Sequence, residues 1–140
     1  MNYAHTITVP LPYTEAVAKV RQELANQGFG VLTEIDVRAT FEAKLGSDSA
    51  RSLGDYVILG ACNPLLAQQA LTAEPDMGLL LPCNVVIRRD PSADVTTIQA
   101  INPQTMVQLS NSPAIQNVAD QADALLLGAL AALEGRNGSD

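Results

Sequence analysis

The chain has no tryptophan, one histidine, two cysteines and only 8 lysines and arginines among its 140 residues. Each scarcity removes a class of protein. With a lone histidine and no CxxC or HExxH spacing, the common zinc patterns are missing. GxSxG and GxxxxGK[ST] do not occur either, which removes the serine nucleophile elbow and the phosphate loop. The 15 acidic residues outnumber the basic ones and leave a formal charge of −7. A generic contact with a phosphate backbone is therefore disfavoured, and nucleic acid is not an expected partner. The longest apolar stretch, near Ala124 to Leu133, is about half of the roughly 20 residues a membrane span needs, so no membrane partner is expected. No basic start leads into an apolar run, so no secretory signal is read and a cytoplasmic location is expected. Two cysteines in that setting are reduced thiols rather than a structural disulfide.

What is present is an ordered globular composition, 47% apolar and 16% charged. The length suits one domain, residues 1–134, with a tail at 135–140 that should fray. The stretch YVILGACNPLLAQQALTAEPDMGLLLPC, Tyr56 to Cys83, holds both cysteines and the densest apolar runs. Tyr56 to Ala61 is a short, nearly continuous apolar run, the pattern of an interior strand. Asn63 then offers a side-chain oxygen to the free amides of a helix, and Pro64 occupies the first helical position, where its missing N–H does no harm. The helix runs from Pro64 to Ala73, and Glu74, Pro75, Asp76 and Gly78 end it.

Tyr3 to Val9 alternates as a strand and places His5 on the face of Ile7 and Val9. A base or ligand role is one reading of His5; a packed, hydrogen-bonded residue is the plainer one. Pro10 and Pro12 close the strand, Thr14 caps a helix to about Gln27, and Gly28 stops it. Phe29 to Val37 is the next strand, with Val31, Thr33 and Ile35 on one face and Leu32, Glu34 and Asp36 on the other. Glu34 and Asp36 then project side by side, roughly 7 Å apart, able to bind a cation or divide acid and base roles. A solvated face is the plainer reading. A short helix follows over Ala39 to Leu45, then a loop from Gly46 to Gly54 able to flex over a site. Cys83 to Arg89 and Val95 to Ile101 form a hairpin about the DPSAD turn. Asn102 with Pro103 and Ser112 with Pro113 repeat the cap-then-proline device, the last helix reaching about Glu134 with Ile115, Val118, Ala122, Leu125, Leu126, Ala129 and Leu133 as its apolar stripe. The order β-α-β-(α)-β-α-β-β-α-α predicts an α+β two-layer sandwich, a ferredoxin-like arrangement with additions.

The segments LGACNP and AEPDMGLLLPCNVVI, with GFGVLTEID upstream, resemble the prokaryotic family catalogued as domain of unknown function 302 (DUF302). The resemblance covers Asn2 to Leu133, and CNP and LPC are its most specific parts. It implies a small α+β domain, often a homodimer, with no settled activity. Glu34 and Asp36 match that family's GF-x-V-x-x-E-x-D segment.

Cys62 directly precedes the cap of a helix whose amides and dipole favour a thiolate, whereas Cys83 begins an apolar strand, so Cys62 is expected to be the more acidic thiol. If the strands before and after that helix are parallel, joined by a right-handed crossover, the two thiols sit at opposite sheet edges, beyond the roughly 7 Å limit for a disulfide. The length of the intervening helix favours that arrangement. Two function classes follow. The first is a homodimeric binding module that holds a small molecule or metal ion near the Cys62-Asn63-Pro64 turn, with Cys83, Glu34 and Asp36 as further candidates. The second is a thiol enzyme or redox protein using Cys62. The first is favoured because no base stands at a telling spacing from Cys62.

Overall fold

The computed structural model describes residues 2–135. Its strands are β1 Ala4–Val9, β2 Gly30–Asp36, β3 Asp55–Cys62, β4 Cys83–Arg89 and β5 Thr96–Ile101. The helices are α1 Tyr13–Asn26, α2 Val37–Leu45, α3 Ser47–Leu53, α4 Pro64–Ala73, α5 Gln104–Val107 and α6 Pro113–Leu133, with a 3-10 segment at Pro75–Leu80. The strands form one antiparallel sheet in the order β1-β5-β4-β3-β2. The fraying expected for 135–140 concerns residues that, beyond Gly135, lie outside those described.

Alternation along the strands decides where the core sits. Val57, Leu59 and Ala61 of β3 share one face with Val85 and Ile87 of β4 and with Ile98 and Ala100 of β5. All are buried against Ala16, Val20 and Leu24 of α1 and Leu126, Ala129 and Leu130 of α6. The result is the two-layer α+β sandwich the element order predicts. A second buried cluster lies beside the sheet, built from Leu66 and Ala70 of α4, Met77, Met106 of α5, and Ile115, Val118, Ala119 and Ala122 of α6. The helix α6 thus serves both cores, its N-terminal half in one and its C-terminal half in the other. No helix among the described residues is long and apolar enough to cross a membrane.

The opposite sheet face has a graded character. One row of register partners crosses it as Ile35, Ile58, Val86, Gln99 and Thr6. Ile35 is 49% exposed, and Ile58 and Val86 are only partly covered. Beyond them the face turns polar and internally bonded. Arg88 Nε donates to Gln99 Oε1 at 3.1 Å, and Gln99 Nε2 donates to Thr6 Oγ1 at 3.1 Å.

Four expectations are corrected. First, β3 and β4 are antiparallel neighbours, not parallel strands joined by a crossover: Ala61 faces Cys83 and Asp55 faces Arg89. The ten residues of α4 advance the chain by about 15 Å. The six-residue 3-10 segment packed against α4 covers about 12 Å, which returns β4 to the end where β3 stopped. Helix length alone therefore did not report the net displacement. Second, Gly46 to Gly54 is not a loop, because Ser47–Leu53 forms α3 with Ala50 buried and Asp48 paired to Arg51. Third, Thr14 does not cap α1; Pro12 is the capping position and has no side-chain bond to give. Fourth, a bulge between Val31 and Thr33 shifts the β2 register by one, so Val31 shares a face with Glu34 and Asp36, opposite Thr33 and Ile35.

Candidate functional site

The two cores do not close on each other completely. Between them lies a pocket of about 310 Å³, lined from the sheet side by Phe29, Ala61 and Cys83 and from the helical side by Leu66, Ala70, Met106, Val118 and Ala122. Cys62, Asn63, Leu81 and Pro82 complete the wall where β3 gives way to α4 and β4 begins, and the Leu81–Pro82 peptide is cis. Leu32, the residue carried by the β2 bulge, is 68% exposed, and Leu71 of α4 is 40% exposed; both belong to the lining. A bulge re-aims side chains, and here it leaves an apolar mouth. No lining residue carries a formal charge.

Asn63 occupies the turn as its sequence predicts. Its Oδ1 accepts the Leu66 N–H at 3.3 Å, capping α4, and Pro64 holds the first helical position. Asn63→Ala is expected to lower stability by about 1 kcal/mol through loss of this cap. A reversible denaturant titration measures it, and an unchanged midpoint would deny Asn63 the capping role.

Both thiols border this pocket. Antiparallel pairing sets Cys83 opposite Ala61, the neighbour of Cys62, and both cysteines are free and line the same pocket. This corrects the expectation that they lie at opposite sheet edges. Burial pushes the Cys83 thiol up from 9.0 to about 11, and a negative charge on Cys62 adds to the rise. Tyr13, the first residue of α1, is likewise pushed from 10.0 to about 12, first by burial and then by the charges of Asp55 and Asp36. Both groups favour their neutral forms more in the folded chain than in the unfolded one. The unfolded chain loses these protons from about pH 9 upward, so stability is complete below that point and falls as pH climbs towards about 12. Denaturant midpoints at about pH 8 and about pH 10.5 should therefore differ, the alkaline one being lower. Equal midpoints would contradict both shifts.

Glu34 and Asp36 are not brought to the thiols. They face Leu59 and Val57, roughly 10 and 16 Å along β3 from Cys62 at the usual strand rise. They line a separate groove with Tyr13 and Arg21. Glu34 pairs with Arg21, and Asp36 caps α2 by accepting the Ala39 N–H at 2.9 Å. His5 follows its plainer reading: its Nε2 lies 2.6 Å from Asp123 Oδ1 and joins β1 to α6. Sequence reasoning did not place Leu32, Leu71 or Met106 in the site. Val118 and Ala122 were visible as part of the α6 stripe, but nothing in a stripe says that it borders a cavity.

A two-layer sandwich with an uncharged pocket at the seam of two cores, holding two free thiols, describes a small-domain class rather than a reaction. The chain matches, over residues 5–133, the family described as Domain of unknown function DUF302, and it belongs to that family. Its fold is that of the crystal structure of an uncharacterized conserved protein DUF302 from Bacillus stearothermophilus. The two are 27% identical with a TM-score of 0.81, over 93% of this chain and 97% of the other. No curated protein matches.

Proposed function

We propose that the protein is a noncatalytic binding domain, a homodimer whose subunits each hold a small uncharged molecule in the pocket at the Cys62-Asn63-Pro64 turn. One observation carries this reading: a pocket of about 310 Å³ whose lining is apolar apart from Thr33, Asn63 and the two thiols. That volume lies at the small end of ligand sites, which combine apolar walls with a few placed polar groups. A thiol enzyme needs a base within reach of its sulfur. The lining offers no His, Lys, Asp or Glu, and His5 is engaged with Asp123. The homodimer reading draws on the apolar half of the open sheet face, Ile35, Ile58 and Val86, which a second subunit would cover.

The test of ligand binding uses N-phenyl-1-naphthylamine, an uncharged probe that brightens in apolar surroundings. Binding to the reduced protein is expected, and Ala70→Phe, which puts a ring into the pocket from α4, should abolish it while leaving the circular dichroism unchanged. Undiminished binding in a folded Ala70→Phe variant would place the probe elsewhere and sink the reading. Sedimentation equilibrium tests the dimer separately: Ile35→Lys should shift a dimer to monomer, and a wild-type monomer at micromolar concentration would end that half of the proposal.

A further inference from the structure

The pocket has a neighbour. Pro82, Cys83 and Met106 border the pocket of about 310 Å³ and also a second cavity of about 130 Å³, bounded further by Ile101, Pro103 and Thr105, so a wall one residue thick separates the two spaces. Pro82 and Cys83 are held by the backbone where the chain enters β4. Met106 is different: it is a buried residue of the four-residue helix α5, and its unbranched side chain has three rotatable bonds and adapts to irregular gaps. We propose, resting on the binding role given to the pocket above, that the two cavities together hold the unbranched aliphatic chain of an uncharged lipid-like molecule, with Met106 as the movable gate between them.

The linings select against other ligands. No charged residue borders either cavity, so a carboxylate, phosphate or ammonium group drawn inside would be buried without a partner, which is costly. A sugar or nucleobase brings many donors and acceptors, whereas the polar side chains here are few and partly engaged. Asn63 Oδ1 accepts the Leu66 amide, and the Thr105 hydroxyl donates to the Asn102 carbonyl at 2.9 Å. A flat aromatic ligand would meet one ring, Phe29, among aliphatic neighbours, which gives little of the ring pairing that favours such ligands. Hydrocarbon is what the walls match.

Shape favours a chain over a compact hydrocarbon. A cavity of about 150 Å³ holds benzene, or roughly 25 Å³ for each carbon. At that density the larger chamber, about 310 Å³, takes about twelve carbons and the smaller, about 130 Å³, about five. A chain that outgrows the first chamber must displace Met106 to bury its remaining methylenes. Leu32 and Leu71 stand exposed at the mouth, where the polar end of such a molecule can stay in water.

The test displaces N-phenyl-1-naphthylamine from the full-length chain with octaethylene glycol monoalkyl ethers, used below their critical micelle concentrations. Their heads are uncharged and too bulky to enter, so only the chain is varied. Affinity should rise about fourfold for each methylene from octyl through decyl and dodecyl, and the rise should continue to tetradecyl as the tail passes Met106. Ile101→Phe, which puts a ring into the second chamber alone, should leave the octyl ether unaffected and flatten the rise beyond dodecyl. Met106→Ile, close in volume but stiff at its branched β-carbon, should flatten it likewise. A further readout needs no variant: a tetradecyl ether carrying a terminal diazirine should on irradiation label residues between Ile101 and Thr105, located by mass spectrometry. A plateau at dodecyl in the unaltered chain, a tetradecyl gain that survives both substitutions, or a label confined to α4 would each overturn the two-chamber site. Binding of the naphthylamine probe and its loss in Ala70→Phe are read without any ether, so the binding role can stand where the chain assignment falls.

Discussion

Leu59→Ala is expected to destabilise the protein by about 2–5 kcal/mol, the range for a fully enclosed leucine. Leu59 is 0% exposed. In register it stands between Glu34 of β2 and Val85 of β4, and it belongs to the core covered by α1 and α6. Because β3 is hydrogen-bonded on both sides, the backbone cannot move in to close the space the side chain leaves. The transfer loss and the cavity penalty therefore add, which points to the upper half of the range. Denaturant midpoints measure the change, and an unaltered slope would show that the unfolded state is unaffected. A loss below about 1 kcal/mol would mean that the core repacks around the vacancy. The site should keep its shape, since the pocket reaches the sheet at Ala61 and does not include Leu59.

The parts of the fold legible in the sequence are those written in local chemistry. Asn63 and Pro64 mark the start of α4 because an amide acceptor and a residue without an N–H both suit a helix N-terminus. The DPSAD turn closes β4 onto β5, and the α6 stripe gives a helix of nearly the right length. The parts not legible depend on direction or on a single inserted residue. Whether β4 runs with or against β3 is decided by how far the 3-10 segment undoes the advance of α4, a tertiary quantity without a period in the sequence. The bulge near Leu32 reverses the faces assigned to Thr33 and Ile35, since a shift by one exchanges every subsequent side chain between the two faces. Gly46 to Gly54 looked like a loop because Ser, Asp and Gly favour turns, yet burial of Ala50 holds it helical.

The same division applies to the site. Cys62, Asn63 and Cys83 border the pocket, their segment is marked in the sequence by its turn chemistry, and antiparallel pairing sets Cys83 opposite Ala61. Met106 is not so marked, since α5 is a four-residue helix, too short to show a period. It reaches the site through the second core, packed with Met77, Val118 and Ala122. Glu34 and Asp36 were noticed for their charge, and charge is what ties them elsewhere, to Arg21 and to the first turn of α2. The seam between two cores is where packing is least constrained, so a pocket there is a consequence of α6 serving both layers. Chemistry enters through the residues that border it.

Gly54→Ala is expected to destabilise the chain by about 3 kcal/mol or more, from two effects that can be separated. Gly54 has φ +82 and ψ −157, a region essentially reserved for glycine that costs another residue about 1–3 kcal/mol. A Cβ there would also stand 2.5 Å from the Arg89 carbonyl oxygen and 3.0 Å from Pro91 Cδ. A backbone oxygen in the β3–β4 ladder cannot swing aside like a side-chain tip, so Asp55 and Arg89 must part or the turn after β4 must shift; such overpacking costs about 1–3 kcal/mol. Gly46 supplies the control, because φ +98 and ψ 167 place it in the same backbone region while a Cβ there meets nothing within 4 Å. Gly46→Ala should show the conformational cost alone, and the difference between the two variants is the steric one. Equal losses would mean that β4 yields freely at Arg89, and the ladder that aligns Cys83 with Ala61 would then be softer at its far end than its pairing implies.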